Sequence, residues 1–316
     1  MLLLPLTAIF WGLSAFRRWL FSNGFKASTR IPVPVIVVGN ISVGGNGKTP
    51  LVVYLANRLK QEGYHPGVLS RGYGGKRKNY PFSVEVNSSA DSVGDEPILM
   101  KQHINCPLVV DPVRARGAKA LVSKHNCNVI ICDDGLQHYA LQRDIEIAVV
   151  DGQRRTGNNM LMPAGPLREG VWRLDTVDFV VLNSGTVKNN EYSMSLESGR
   201  LVNIKQKNLS RSIADLKGPI VAAAGIGNPQ RFFDFLALKQ VSMKQCLAFD
   251  DHYRFEEKDL PKECVVMTEK DAVKCVDFAH EDWWYLPVRA KLPQQFDSEL
   301  LVKLKAVATA KNGEKK

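Results

Sequence analysis

The glycine-rich segment Ser42–Pro50 has the residue types and the spacing that bind phosphate groups. It reads SVGGNGKTP and comes shortly after the apolar run Val33–Val38. In such a turn between a strand and a helix, backbone N–H groups point at an anion, and the closing lysine and threonine add a cation and a hydroxyl. The strict pattern GxxxxGK[ST] fails at its first position, where Ser42 stands. A glycine-rich turn with a solvated lysine is therefore the structural alternative.

The segment predicts a nucleotide site in which two side chains have separate tasks. Lys48 would reach the β- and γ-phosphates, where it would also act in catalysis, and the Thr49 hydroxyl would hold Mg²⁺. The predicted nucleotide-binding residues are Ser42, Val43, Gly44, Gly45, Asn46, Gly47, Lys48, Thr49 and Pro50.

A pair of acids follows a second apolar run at the place where a metal ligand is needed. Asp133 and Asp134 come directly after Val129–Cys132. Ligands of open α/β sheets bind beyond the carboxyl ends of the strands, so both carboxylates are predicted to hold Mg²⁺ or its water. A pair of aspartates that caps a turn before Gly135 is the alternative.

Short apolar runs that alternate with helical patterns must position these residues. The runs are nearly continuous in Val and Ile, which indicates strands covered on both faces and hence a mostly parallel sheet. The fold class predicted is α/β, a phosphate-loop-type parallel sheet flanked by helices, with a second, smaller α/β domain and an N-terminal membrane-interface helix. Helices are predicted at Pro50–Glu62 and from Pro229. The predicted strands are Val33–Val38, Gly67–Ser70, Leu108–Val110, Val129–Cys132, Glu146–Val150, Asp178–Leu182, Ile220–Ala224, Cys264–Thr268 and Trp284–Val288.

Composition shifts divide the chain into four predicted parts. Residues 1–28 form the N-terminal helix and 29–190 the phosphate-loop domain. The polar stretch 191–215 is a linker with a short hairpin at Met194–Ile204, and 216–310 is the C-terminal α/β domain. The tail AKNGEKK is predicted to be frayed.

The N-terminus predicts a helix that lies in a membrane surface. Leu2–Phe16 carries no charge, yet as a helix it would span roughly 22 Å, short of a hydrocarbon core of about 30 Å. Aromatic side chains are interleaved with the basic residues that follow it, Arg17, Arg18, Lys26 and Arg30. This pattern is typical of an interfacial helix with arginines toward anionic head groups. A soluble helix packed on the core is the alternative.

Composition and charge narrow the function classes. The chain has 316 residues, 45% of them hydrophobic, and a formal net charge of +10. The length supports one large domain or two smaller ones, and the basic surplus indicates an anionic partner. The sequence contains no nucleic-acid-binding signature and no zinc pattern, so no nucleic acid is expected. Six cysteines without a CxxC pair indicate reduced thiols.

The motifs together resemble one family. GNISVGGNGKTP, LSRGYGG, GDEP, DDGLQH, MPAGPLRE, DDHYRF and MTEKD occur in the order seen in tetraacyldisaccharide 4′-kinases, the lipid A 4′-kinases of Gram-negative bacteria. The family's loop carries Ser or Thr where the strict pattern has Gly, so Ser42 supports the resemblance. The resemblance implies that the γ-phosphate of ATP, with Mg²⁺, goes to the 4′-hydroxyl of a tetraacylated glucosamine disaccharide 1-phosphate. It also implies a monotopic enzyme on the cytoplasmic face of the inner membrane, with no obligate protein partner.

The resemblance also assigns catalytic roles. It makes Asp95 of GDEP the general base and His252 of DDHYRF the partner that orients or tunes it. In MPAGPLRE, Arg168 becomes a phosphate or transition-state contact and Glu169 a metal partner. The alternatives are an ordinary loop histidine at 252 and a surface ion pair at 168 and 169.

Four further residues are predicted to contact the substrate. Arg71 of LSRGYGG and Arg114 of DPVRARG are planar donors that suit phosphate. Glu96 lies beside the predicted base, and His138 ends DDGLQH. The basic surplus can equally form a membrane-facing surface.

Other nucleotide-binding classes fit less well. A GTPase would need [NT]KxD, but in MTEKD Lys270 comes two residues after Thr268, and LSRGYGG is not the LSGGQ of an ABC-type ATPase. A membrane-associated nucleotide switch or ATPase without lipid phosphorylation would explain the loop and the N-terminal helix. It would not explain GDEP or MPAGPLRE.

Overall fold

The computed structural model of the protein describes residues 3–188 and 190–313. The helices are α1 (Leu4–Ser22), α2 (Lys48–Gln61), α3 (Ala90–Val93), α4 (Asp95–His103), α5 (Arg114–His125), α6 (Pro229–Leu238), α7 (Glu269–Cys275) and α8 (Gln294–Gly313). The strands are β1 (Val35–Gly39), β2 (Pro66–Ser70), β3 (Phe82–Ser83), β4 (Leu108–Val110), β5 (Val129–Asp133), β6 (Ile145–Asp151), β7 (Phe179–Asn183), β8 (Glu191–Ser198), β9 (Leu201–Asn203), β10 (Ser210–Arg211), β11 (Ile220–Ala224), β12 (Met243–Ala248), β13 (Val265–Thr268), β14 (Trp283–Leu286) and β15 (Val288–Lys291).

A nine-stranded sheet carries the phosphate loop and the acid pair. Its order is β15-β8-β7-β6-β1-β5-β2-β4-β3, and the strands from β8 to β4 run parallel. The edge strands β15 and β3 pair antiparallel with their neighbours. β1 and β5 are neighbours and are buried along their whole length. Apolar runs that are covered on both faces form such strands, as the sequence predicted.

A second, six-stranded sheet follows in the order β10-β9-β14-β13-β11-β12. β14, β13, β11 and β12 are parallel, whereas β9 and β10 run antiparallel to their neighbours. Two mostly parallel sheets flanked by helices confirm the predicted α/β fold class. The predicted domain boundaries at 191–215 and 216–310 stay a prediction.

Two local predictions between the sheets are wrong. The predicted hairpin at Met194–Ile204 does not form, because β8 pairs with β7 and β15 while β9 pairs with β10 and β14. The predicted strand Trp284–Val288 is two strands separated by Pro287, and they belong to different sheets. Proline has no N–H to donate to a ladder, which explains the break.

Helix α2 begins at Lys48, two residues earlier than predicted, directly after the phosphate loop. Gly47 precedes it with φ 90°, a left-handed conformation that favours glycine. The apolar stripe Leu51, Leu55 and Leu59 is buried against the nine-stranded sheet. The buried stripe fixes α2 in place, and its N-terminus therefore points into the site.

The two terminal helices differ in how they pack. Every residue of α1 is exposed or partly exposed, and within the described ranges no helix is long and apolar enough to span a membrane. In contrast, α8 packs back on the nine-stranded sheet, and Lys311 is buried against Asp144 at 2.6 Å. The predicted frayed tail is wrong for residues 310–313, which end α8. Residues 1, 2 and 314–316 lie outside the described residues.

Candidate active site

A hydrogen bond between two of its own side chains fixes the conformation of the phosphate loop. Asn46 Nδ2 donates to Ser42 Oγ at 2.9 Å, and both residues are buried. Gly44 and Gly47 adopt φ 98° and 90°. Serine at the first position of the motif therefore accepts a hydrogen bond that a glycine lacks, and this bond fixes the turn ahead of α2.

The MPAGPLRE segment lies against the phosphate loop through backbone hydrogen bonds. Val43 N donates to Pro166 O at 2.8 Å, and Arg168 N donates to Ile41 O at 2.7 Å. These bonds bring the Arg168 guanidinium to Asp134, with Nη1 3.3 Å from Oδ2. The structure thus brings together the phosphate loop, a cation about 120 residues after it and an acid that lies between them in the sequence.

Asp133 aims a free oxygen into the site. Its side chain is buried, Ser70 Oγ donates to Oδ2 at 3.2 Å, and Oδ1 has no hydrogen-bond partner. Burial, with the negative charges of Glu96 and Asp134, raises the pKa of the Asp133 carboxyl. An unpaired buried carboxylate oxygen is costly unless a cation or a donor completes it.

Asp134 is already surrounded by positive charge. Lys48 Nζ lies 3.4 Å from Oδ1, and Arg168 lies on the other side. Burial alone would raise the pKa of Asp134, but Lys48 and Arg168 outweigh it and hold the pKa below its usual range. Asp134 also has a left-handed backbone, φ 46°, which is uncommon for a non-glycine residue.

The residues present fit Mg²⁺. In the part of the chain that the structure describes, no three acidic, histidine or cysteine side chains converge into a metal cluster. Mg²⁺ is usually held by one or two carboxylates with water and substrate phosphates, so a complete protein cage is unnecessary. Thr49 at the start of α2 and the free oxygen of Asp133 supply that kind of donor set.

Glu169 accepts hydrogen bonds from two neighbouring side chains. Gln137 Nε2 donates to Oε2 at 2.8 Å, Tyr139 donates to Oε1, and Arg173 Nε lies 3.8 Å away. The residue is 3% exposed. Both oxygens therefore already have donors, and the metal role of Glu169 stays a prediction.

Asp95 and His252, 157 residues apart in sequence, meet in the structure. His252 Nδ1 lies 2.9 Å from Asp95 Oδ2 and 3.1 Å from Oδ1. Burial pushes the pKa of Asp95 up, but the hydrogen bond with His252 and the charge of Lys270 outweigh burial and leave this pKa lowered. The hydrogen bond to Asp95 raises the pKa of His252. Asp95 is thus an ionised, buried carboxylate beside an oriented imidazole.

The four predicted substrate residues lie in different settings. Arg71 is exposed on the cavity wall, and Glu96 pairs with Lys270 at 3.0 Å. Arg114 is buried and donates to the Asp133 backbone carbonyl at 2.8 Å, so it holds the end of β5. Burial and nearby arginines lower the pKa of His138 to about 4, so its ring is neutral near pH 7.

The second sheet also reaches the phosphate loop. Gly227 of the GIGNP loop abuts Gly45, and a Cβ at 227 would lie 2.3 Å from Gly45 N. Arg231 of α6 donates to Asn183 Oδ1 at 3.0 Å, and Asn183 Nδ2 donates to Asn46 O at 3.0 Å. The sequence predicted the helix that begins at Pro229, the last residue of this loop, but it offered no signal for Asn183.

Most of these groups line one cavity of about 1900 Å³, while Asp95 is buried and contacts one of the lining residues, His252. Its walls include Lys48, Asp133, Glu96 and His252, and the arginines of α1. Single small-molecule pockets are usually about 300–1,000 Å³. The cavity therefore has room for a nucleotide at the phosphate loop and for a second, larger molecule near His252.

The fold and the site define a phosphate-loop protein of the α/β class, in which the nucleotide cradle and the imidazole of a carboxylate–imidazole pair face one cavity. A sequence model of the family LpxK, tetraacyldisaccharide-1-P 4′-kinase, matches residues 1–305. The chain belongs to this family.

Relatives and a solved structure agree over nearly the whole chain. The tetraacyldisaccharide 4′-kinase of Pseudoalteromonas atlantica is 58% identical over 304 residues, covering 96% of this chain and all of that protein. The enzyme of the same name from a Shewanella species is 51% identical over 99% of this chain and 93% of its own length. A crystal structure of LpxK from Aquifex aeolicus in complex with ATP matches with a TM-score of 0.77 and 30% identity, over 98% of this chain and 99% of that one.

Proposed function

We propose that the protein transfers the γ-phosphate of ATP to the 4′-hydroxyl of a tetraacylated glucosamine disaccharide 1-phosphate in lipid A biosynthesis. The contact that carries the proposal is His252 Nδ1 to the buried Asp95 at 2.9 Å, because His252 lines the cavity that the phosphate loop also lines. A nucleotide switch needs a phosphate loop but has no need of a carboxylate oriented for proton abstraction.

On the nucleotide side, the chain's residues position the phosphates and balance charge, which is most of what phosphoryl transfer requires. The amides of the phosphate loop at the N-terminus of α2 would bind the β- and γ-phosphates. Lys48 and Arg168 would leave Asp134 for the phosphate oxygens when the nucleotide enters. Thr49, Asp133 and Asp134 would hold Mg²⁺, which neutralises charge on the transferred group when bound.

On the acceptor side, Asp95 would accept the proton of the 4′-hydroxyl as that oxygen attacks the γ-phosphorus. The bond from phosphorus to the bridging oxygen breaks, and ADP leaves. His252 donates from Nδ1 to Asp95 and so orients the carboxylate. The basic side chains of Arg71 and Arg17 line the same cavity as His138 and suit an anionic acceptor.

Helix α1 supports the finer proposal of a membrane-bound enzyme on the cytoplasmic face of the inner membrane. Its apolar residues stay exposed, with Leu13 at 66% and Trp11 at 60%. Phe10, Leu13 and Arg17 of the same helix line the cavity. A helix with exposed apolar residues that brings both apolar and basic side chains to the cavity suits a surface from which an acylated anionic substrate can enter.

The test is phosphate transfer itself. Purified, detergent-solubilised protein is incubated with γ-labelled ATP, Mg²⁺ and tetraacylated disaccharide 1-phosphate, with Lys48→Ala as the control. Label at the 4′ position of the lipid supports the proposal. ADP production without labelled lipid would favour a membrane-associated ATPase or switch and would overturn it.

A further inference from the structure

Lys270, in the MTEKD motif, lies beside the carboxylate–imidazole pair of Asp95 and His252, although the proposed function gives it no role. Its Nζ lies 3.0 Å from Glu96 Oε1, 3.0 Å from Asp251 Oδ1 and 3.5 Å from His252 Nε2. The side chain is 15% exposed. One ammonium group thus contacts a neighbour on each side of the proposed base.

These contacts join two elements from different sheets. Glu96 is in the first turn of α4, whereas Lys270 is in the first turn of α7, directly after β13. The adjacent residue Glu269 pairs with His103, at the other end of α4, at 2.7 Å. Two consecutive residues of α7 therefore hold α4 at both ends.

The start of α7 is itself fixed. Thr268 caps the helix by accepting a hydrogen bond from Asp271 N at 3.3 Å, and Asp271 accepts one from Gly225 N at 2.8 Å. Asp271 is fully buried. A cap of this kind sets the direction in which the first-turn side chains leave the helix, so the position of the Lys270 ammonium is set by the second sheet.

We propose that Lys270 is a positioning residue for phosphoryl transfer, which holds His252 and Glu96 around Asp95 and keeps the cluster charge-balanced. The inference rests on the proposed kinase function. His252 lies in a turn with a left-handed backbone, φ 62°, and its side chain is 27% exposed, so side-chain contacts orient the ring. The contacts that face the ring are Asp95, Asp251, Lys270 and the ring of Tyr73 at 5.0 Å.

Loss of the ammonium has a defined electrical consequence. Three acids face Lys270, namely Asp95, Glu96 and Asp251, and Lys274 is the other cation that acts on Asp95. The positive charge of Lys270 lowers the pKa of Asp95 and also lowers the pKa of His252. Without it both pKa values rise, so the base loses its ionised form at a higher pH than in the native protein.

A lysine that merely ties α7 to α4 would behave differently. Its removal would lower activity by misplacing α4 but would leave the pH at which activity is lost unchanged. Removal of the Glu269–His103 contact by Glu269→Gln tests that tie, since this contact lies at the far end of α4 from Asp95.

The experiment compares kcat, KM and the pH profile of lipid phosphorylation for the native protein and four variants. Lys270→Met removes the charge at similar length, Lys270→Arg keeps it, and Glu269→Gln loosens the other end of α4. Lys244→Met is the matched control, because Lys244 forms an exposed pair with Glu263 at 2.9 Å. Circular dichroism and thermal unfolding check that each variant folds.

Lys270→Met is expected to lower kcat roughly 10- to 100-fold, less than the roughly 10²- to 10⁴-fold contribution of a general base because Asp95 itself remains, and to move the acid limb of the profile to higher pH. KM for ATP should change little. Lys270→Arg should keep the limb in place and recover part of kcat. Lys244→Met should match the native protein.

Two results would overturn the inference while native transfer persists: a native kcat in Lys270→Met, or a lowered kcat with an unmoved acid limb. If Lys270→Met does not fold, Lys270→Arg decides, and a displaced limb in that charge-conserving variant would contradict the inference. A native protein that transfers no phosphate to lipid would instead refute the proposed function.

Discussion

Gly227→Ala is the sharpest test of how closely the two sheets must approach. A Cβ at this position would lie 2.3 Å from Gly45 N and 3.1 Å from Gly45 Cα, while ordinary contacts begin at 3.4 Å. The obstacle is backbone, so the GIGNP loop must retreat by about 1 Å from the phosphate loop. A misplacement of about 1 Å can cost on the order of 10²-fold in rate, or about 2.7 kcal/mol.

The same movement would reach the carboxylate–imidazole pair, because His252 follows the second sheet and Asp95 belongs to α4. A 2.9 Å contact that lengthens by about 1 Å is no longer a hydrogen bond. We therefore expect kcat/KM for lipid phosphorylation to fall roughly 10²-fold, while thermal unfolding stays near native because both cores are untouched.

The assay is initial-rate transfer from labelled ATP to the lipid, with Gly313→Ala as the matched control. A Cβ at Gly313 meets nothing within 4 Å. A kcat/KM for Gly227→Ala within about twofold of native would refute the argument that this approach positions the site.

Four further outcomes are expected. Lys48→Ala should abolish transfer while circular dichroism stays native, and retained turnover would remove the phosphate-loop role. Asp95→Asn should lower kcat about 10²-fold or more, as for loss of a general base, and a near-native rate would move that role to another carboxylate. Deletion of residues 1–22 should release the protein from membrane vesicles without detergent, unless the full-length protein already fractionates as soluble. The bond to Asp95 raises the pKa of His252, so its contribution to stability is complete below about pH 6.5 and is lost as pH rises through the folded-state value. Urea unfolding of native protein and His252→Gln should converge at high pH.

The sequence predicted the parts of the site that depend on local pattern. Val129–Cys132 is a buried strand, because a continuous apolar run is stable where both faces of the sheet are covered. The acid pair follows the carboxyl end of this strand, which is the edge of the sheet at which ligands bind. The phosphate loop and the start of α2 follow for the same reason.

Contacts that depend on long-range packing could not be predicted from the local sequence pattern. Arg168 and Glu169 are adjacent in a bend, yet Arg168 reaches Asp134 while Glu169 accepts a hydrogen bond from Gln137, a division that no local sequence pattern indicates. The link between Asp95 and His252 came from resemblance, and only the structure supplied its distance. The sequence assigned no role to Lys270 of MTEKD, because its contact with Glu96 joins two helices that are far apart in the sequence and are attached to different sheets.

The path of the chain through the two sheets constrains the order of folding on the ribosome. β8 receives its antiparallel neighbour β15 only after all strands of the six-stranded sheet have been made. Lys311 then donates to the carbonyls of Ile31 and Val33, residues made long before it. Chains usually fold from the N-terminus as each domain emerges. Here the sheet begun first is closed last, and a nascent chain that ends after β14 keeps the edge of β8 unpaired and open to other strands.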